Sequence, residues 1–208
     1  MLESSDTKNS INNEKILMKK KKSIKNIDEY PNVKIIKVIS ELLNNMCKDN
    51  NTKEINNENI LSNKKIQLFM LRKIPSISLN DYLLRLSKYS KLNESTIVFI
   101  LIYIDRLCLN YNIKINHYNI YKLILAAMVV AIKFNEDDFY TSDFYGKLGG
   151  ISKLEMNLLE YEFAIMINFN LFIKEDLFYQ YYYLLQNYDN NGKNNNNNDD
   201  NDGKSSNN

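Results

Sequence analysis

From residue 33 to residue 49 the apolar positions Ile35, Ile36, Ile39, Leu42, Leu43 and Met46 recur at intervals of three and four. That spacing predicts an amphipathic helix with a single apolar stripe. A polar stretch, 50–58, then separates it from the rest, so the helix is expected to dock onto the main domain from outside. The next segment, IQLFMLRKIPSI, contains Pro75, which breaks a helix and imposes an extended approach to a new start at Ser78. Ser78 and Asp81 have the spacing of a capping box there.

Five helical segments follow, and the third organises the others. The first, about 79–89, is expected to bury Tyr82, Leu83, Leu86 and Tyr89, with Arg85 beside that face. The second, about 94–109, is capped by Asn93 and turns Ile97, Ile100, Leu101, Ile104 and Leu107 inward. The third spans 116–135, with Asn116 as its cap candidate, an apolar run from Leu123 to Ile132, small Ala126, Ala127 and Ala131, and Lys133 at its far end. A helix apolar on every side must be surrounded by others. Its apolar run is too short to cross a bilayer, which takes roughly twenty residues.

The fourth segment begins at Thr141 or Ser142 and stops before Gly149 and Gly150. Ser152 and Glu155 form a second capping box, opening a fifth helix that runs to about Asn168. A sixth, 175–188, is rich in Tyr and Leu and packs back on the outside. No period-two alternation is long enough for a sheet, so the fold class is all-α. The expected organisation is a disordered tail at 1–30, an N-terminal helix and linker at 31–62, a helical domain with its C-terminal helix at 63–188, and a disordered Asn-rich tail at 189–208.

Charge and composition narrow the function classes. With 27 basic and 25 acidic side chains in 208 residues, the net charge of +2 supplies no overall field toward nucleic acid or a membrane. Cys47 and Cys108 form no CxxC motif and read as reduced thiols. The N-terminus has no apolar signal segment and carries Leu2 where myristoylation needs Gly, so a cytoplasmic and/or nuclear protein is expected. The run Lys19 to Lys22 with Lys25 fits either a nuclear-localisation or anionic-lipid patch, or a solvated tail.

Catalytic machinery is not evident. The glycines of GKLGG lack P-loop spacing, and Glu136, Asp137 and Asp138 lack the alternating ligands of a calcium loop. His117 is the single histidine and no nucleophile and base can be placed together. The 15 Tyr and 9 Phe fall on helical spacing, as core residues do. No enzyme activity, cofactor, metal or small-molecule substrate is expected.

Taken in order, FMLRKIPSISLNDYLLRLSKYS (69–90), YIDRL (103–107), AIKFNEDDFYTSDFYGKLGGIS (131–152) and NLLEYEF (157–163) resemble the cyclin box, most nearly that of the P/U-type, phosphate-pathway cyclins. The resemblance covers about 65–175, and the helix at 33–49 matches the extra N-terminal helix such cyclins carry. It implies a single five-helix cyclin box around the buried central helix, flanked by that N-terminal helix and a C-terminal one. It also implies a regulatory subunit of a cyclin-dependent protein kinase, bound beside the mobile αC helix of the kinase and favouring its active conformer. A role in cell division or in nutrient and growth control follows.

Family contacts carry over to Lys133 and Glu160, a charged pair, and to Phe134, Ala164, Phe169 and Leu171 around it. From the residues alone, Lys133 could instead complement a helix C-terminus, Glu160 could be a solvated carboxylate, and Phe134 and Phe169 could be core. Arg85 and Asp105 lie beside the apolar faces of adjacent helices and are expected to pair inside the domain as a structural pair. The M-R-A-I-L substrate-docking segment of cell-cycle cyclins is absent from the first helix, and a second cyclin box is absent too. Two rivals remain: a cyclin-fold scaffold that activates no kinase, and a DNA-binding transcription-factor core of the same fold, which would need a basic face.

Overall fold

The computed structural model describes residues 32–51 and 64–196, with side chains to Tyr188 apart from Asn51. The expected tail at 1–30 with its lysine run, most of the polar linker, and the last twelve residues lie outside the described residues. Eight helices and no strand appear among the described residues: α1 Val33–Asn51, α2 Lys64–Leu68, α3 Leu79–Ser90, α4 Glu94–Tyr111, α5 Ile120–Asn135, α6 Ser142–Gly149, α7 Lys153–Met166 and α8 Glu175–Asn196. None of them is long and apolar enough to cross a membrane.

The all-round apolar helix is the axis of the fold. Every residue of α5 from Ile120 to Ile132 except Lys122 is buried, and α4 and α7 pack against it on two sides. Its alanines, Ala126, Ala127 and Ala131, are fully covered, as the close approach of neighbouring backbones requires. Lys122 reaches out of the core: its Nζ donates to the carbonyls of Leu68 and Met70 at 3.0 and 3.2 Å and pairs with Glu155 at 2.8 Å. A buried stem with a satisfied ammonium costs little, and here it ties the end of α2 to the start of α7.

Three helix starts carry the expected chemistry. Ser78, Thr141 and Ser152 each accept a hydrogen bond from the backbone N–H three residues on, at Asp81, Phe144 and Glu155. Gly150 ends α6 with φ +78°, a left-handed conformation that a residue without Cβ adopts without strain.

Several local expectations are corrected. The central helix begins at Ile120 rather than Asn116. Residues 116–119 form a separate turn, in which the Asn116 carbonyl accepts from Asn119 N while Asn119 Oδ1 accepts from Asn116 N at 2.8 Å. Asn93 is the N-cap residue of α4, as expected, but its side chain makes no capping bond; its amide donates to both oxygens of Glu136 at 2.8 Å, and Thr96 Oγ1 donates to the same carboxylate at 2.5 Å. The beginning of α4 is thereby fastened to the end of α5. Tyr89, expected inside, is 53% exposed, because the buried face of α3 runs through Leu79, Tyr82, Leu83, Leu86 and Ser87 and Tyr89 falls to one side of it. The fifth helix of the box ends at Met166, where Asn168 and Phe169 turn left-handed at φ +54° and +50°. The last helix continues to Asn196, eight residues past its expected end, and the short α2 was not legible beside Pro75.

The N-terminal helix docks as its stripe predicts. Ile36, Ile39, Leu43 and Cys47 are buried, whereas Met46, at the margin of the stripe, is half exposed. Asn32 donates to the Leu92 carbonyl at 2.5 Å and Asn50 to that of Ile115 at 2.8 Å, so both ends of α1 are held by polar bonds. α8 lies across α1 and α4, and its Tyr181 hydroxyl donates to Asp105 at 2.6 Å.

Candidate functional site

The C-terminal end of α5 carries Lys133 and Phe134 out of the core, and the exposed face of α7 carries Glu160 and Ala164 alongside them. The chain after α7 then folds back with Phe169 and Leu171. These six residues, each expected from the sequence as a contact, line one open groove of about 480 Å³. Separate segments of sequence are thus brought together by the packing of α7 on the central helix.

At the floor of the groove Lys133 Nζ lies 2.7 and 2.8 Å from the two Glu160 carboxylate oxygens, and 3.5 Å from Ser142 Oγ. Their side chains retain 28% and 23% of their exposure, so the pair is largely desolvated and opens on one side to solvent. The simple helix-end role for Lys133 is therefore incomplete, because its ammonium bridges α5 to α7. Glu160 is not a lone solvated carboxylate either.

Phe134 and Phe169 are not core residues. They are 51% and 63% exposed, and they form apolar walls about the charged pair, while Leu171 and Ala164 are half-buried beneath. An exposed aromatic ring beside a partly desolvated ion pair is the composition of the centre of a protein interface. Phe169 is also strained. A non-glycine residue with φ +50° bears a cost of order 1–3 kcal/mol that the surrounding structure must hold in place.

Val130, Ser142, Asn157 and Tyr161 also line the groove and were missed in the sequence. Asn157 stands one turn before Glu160, so extending the Glu160 and Ala164 face backward by three residues would have found it. Ser142 comes from the first turn of α6, and nothing in its local sequence distinguishes it from a second capping residue beside Thr141. Among the described residues no group of three or more His, Cys, Asp or Glu side chains is arranged to hold a metal ion.

The expected pairing of Arg85 with Asp105 is not formed. Asp105 faces outward on α4 and accepts from the Tyr181 hydroxyl, whereas the Arg85 guanidinium lies 5.5 Å from the Tyr82 ring centroid and its Nε is buried without a hydrogen-bond partner. Adjacent helices in sequence do not have to face one another: α3 packs chiefly on α1, while α4 packs on α5 and α8.

A sequence model of the family described as Cyclin matches residues 32–171, two thirds of the chain, and it encloses α1 together with every groove residue. The chain is 34% identical to the PHO85 cyclin-like protein psl1 of Schizosaccharomyces pombe over 73% of its own length and 66% of that protein. It is 31% identical to Cyclin-U4-1 of Arabidopsis thaliana over 74% of its length and 76% of the relative. It is likewise 31% identical to Cyclin-P3-1 of Oryza sativa subsp. japonica, over 76% of its length and 65% of the relative. The chain thus spans just under two thirds of the length of the first and third of these relatives.

Proposed function

The chain belongs to the cyclin family, of the P/U type, and on that premise we propose that it is a regulatory subunit of a cyclin-dependent protein kinase. One observation carries the proposal to a site: Lys133, Phe134, Glu160, Ala164, Phe169 and Leu171 converge on a single groove, with the charged pair at its floor and rings on its walls. The relatives named as PHO85 cyclins support a kinase as the partner.

The kinase αC helix is the element this groove takes. Glu160 has lone pairs that its bond to Lys133 leaves unused, and the third donor of Lys133 makes only a long 3.5 Å contact to Ser142 that can be exchanged, so both can turn to backbone groups of a docked helix end while staying near each other. Phe134 and Phe169 exclude water around those bonds and strengthen them. Binding here favours the kinase conformer with its Lys to Glu ion pair formed, a shift of population that leaves all bond-making to the kinase. The cyclin contributes no catalytic group, cofactor or metal, and its role lies in cell division or in nutrient and growth control.

The test is purification of the chain from its own cells, beside a Lys133→Ala/Glu160→Ala double mutant, with histone phosphorylation and direct kinase affinity measured for both. A bound, active kinase with the wild type and a loss of about 2–5 kcal/mol in affinity with the folded mutant supports the assignment. Kinase binding that survives the double mutation unchanged rejects the site. A chain that neither binds nor activates a kinase is a helical scaffold instead.

A further inference from the structure

The turn that presents Phe169 is held from behind by one face of α4. The N–H groups of residues 168–171 are used locally: Asn168 N donates to Ile165 O at 2.8 Å, Phe169 N to Ala164 O at 2.8 Å, Asn170 N to Ile167 O at 3.0 Å and Leu171 N to Phe169 O at 2.9 Å. Its carbonyls are taken by three α4 side chains. Tyr103 Oη donates to Leu171 O at 2.7 Å, and Asn110 Nδ2 donates to Met166 O at 3.1 Å. The Arg106 guanidinium spans two more, donating through one nitrogen to Asn170 O and through the other to Phe172 O at 3.1 Å.

Tyr103, Arg106 and Asn110 stand at i, i+3 and i+7, so they form one stripe along a helix that is itself fixed against the core. None of them lines the groove. Arg106 lies 5.8 Å from the ring centroid of Tyr103, which keeps the two aligned. The Tyr103 side chain is fully buried, and burial pushes its phenol above the ordinary range, so it remains a neutral donor.

From this arrangement we infer that Tyr103, Arg106 and Asn110 are positioning residues for the partner surface: they clamp the 166–172 backbone so that Phe169 stays left-handed and its ring stays in the groove wall. The inference rests on the kinase-binding role of that groove. The physical ground is that a strained non-glycine conformation persists only where its surroundings over-determine it, and here four carbonyls of a seven-residue turn are fixed by one rigid element. Arg106 is the centre of the clamp, since it alone bridges both sides of Leu171.

A double-mutant cycle separates this role from general stability. Dissociation of the kinase that co-purifies with the wild-type chain is measured for wild type, Phe169→Ala, Arg106→Gln and the pair, with amide hydrogen exchange at 168–171 in the unbound chain. The clamp predicts that Arg106→Gln speeds dissociation about tenfold in the wild type and hardly at all once Phe169 is Ala, and that exchange at 168–171 rises while exchange in α5 does not. An equal effect of Arg106→Gln in both backgrounds, or no effect where Phe169→Ala does weaken binding, overturns it. Should Phe169→Ala itself leave binding unchanged, the groove assignment has failed rather than the clamp. Asn110→Ala, at an exposed position, gives the same cycle if Arg106→Gln does not fold; Arg106→Lys, which retains charge but not the two-pronged donor, should fall with Arg106→Gln.

Discussion

Lys133 Nζ lies within 2.8 Å of both Glu160 oxygens, so a single ammonium joins the end of the central helix to the middle of α7. Both side chains are about a quarter exposed, which puts the pair between the surface limit of ~0.2–1 kcal/mol and the ~3–5 kcal/mol cost of breaking a buried pair. Either single alanine substitution should therefore lower unfolding stability by about 1–2 kcal/mol. The double substitution should cost less than the two singles together, because no charge is left without its partner. Urea titrations of the four proteins measure this; additive losses would mean that the bridge contributes nothing to the fold.

Periodicity made the helices legible, and the reason is visible at α5: a run apolar on all faces has one stable location, and the other helices must cover it. The site was legible only in part. Lys133, Glu160, Phe134 and Phe169 came from resemblance, and spacing alone left the phenylalanines open as core, because local sequence does not show which end of a helix emerges from a domain. The Arg85 and Asp105 expectation failed for a related reason. Each position was read correctly as lying beside an apolar face, but which helices face each other is decided by packing across the whole domain, and α3 and α4 turn to different neighbours. Asn116 and Asn119 are chemically equal cap candidates, and only the turn between them decides which one starts the helix.

The two glycines that close α6 are used for different reasons. A methyl group at Gly149 would overlap Leu125 Cδ2 inside the core, whereas Gly150 has open space and instead needs its φ of +78°. Gly149→Ala should destabilise by about 1–3 kcal/mol through overpacking. Gly150→Ala should cost roughly 1 kcal/mol through backbone strain. A Leu125→Val change should relieve the first and leave the second unaltered, and thermal unfolding of the single and paired variants would show whether it does.

Stability should fall on the alkaline side in a defined window. Burial pushes the Cys47 thiol from its ordinary 9.0 up to about 12, and burial with the nearby Asp105 charge does the same to Cys108. Burial first, and then its bond to Asp105, raises Tyr181 as well. In the unfolded chain these groups lose protons at ordinary pH values, while the folded chain retains them. Their contribution is fully present below about pH 9 and is lost as pH rises toward 12. Unfolding free energy measured from pH 8 to 11 should decline, and Cys47→Ala with Cys108→Ala should flatten the decline; an unchanged slope would show that the thiols titrate normally. The same shifts predict slow modification of both thiols by alkylating reagents at pH 8 in the native state, with rapid modification on unfolding.

Phe169 offers a test in which stability and binding move in opposite directions. Its ring is 63% exposed, so removing it forfeits little buried area, and its φ of +50° is unfavourable for any residue with a Cβ. Glycine takes that conformation without steric penalty. Phe169→Gly should therefore leave the fold as stable as the wild type or raise its stability by up to about 1 kcal/mol, while Phe169→Ala keeps the strain and gains nothing. Both variants remove one wall of the groove, so both should weaken kinase binding, by ~1–3 kcal/mol if Phe169 is one of the anchoring aromatic residues. A ring that merely covered the core would give the reverse, with stability lost in both variants and binding altered only as far as folding is. Thermal midpoints and kinase affinities for the two variants, measured side by side, decide between an aromatic residue held under strain for a partner and one that packs for its own domain.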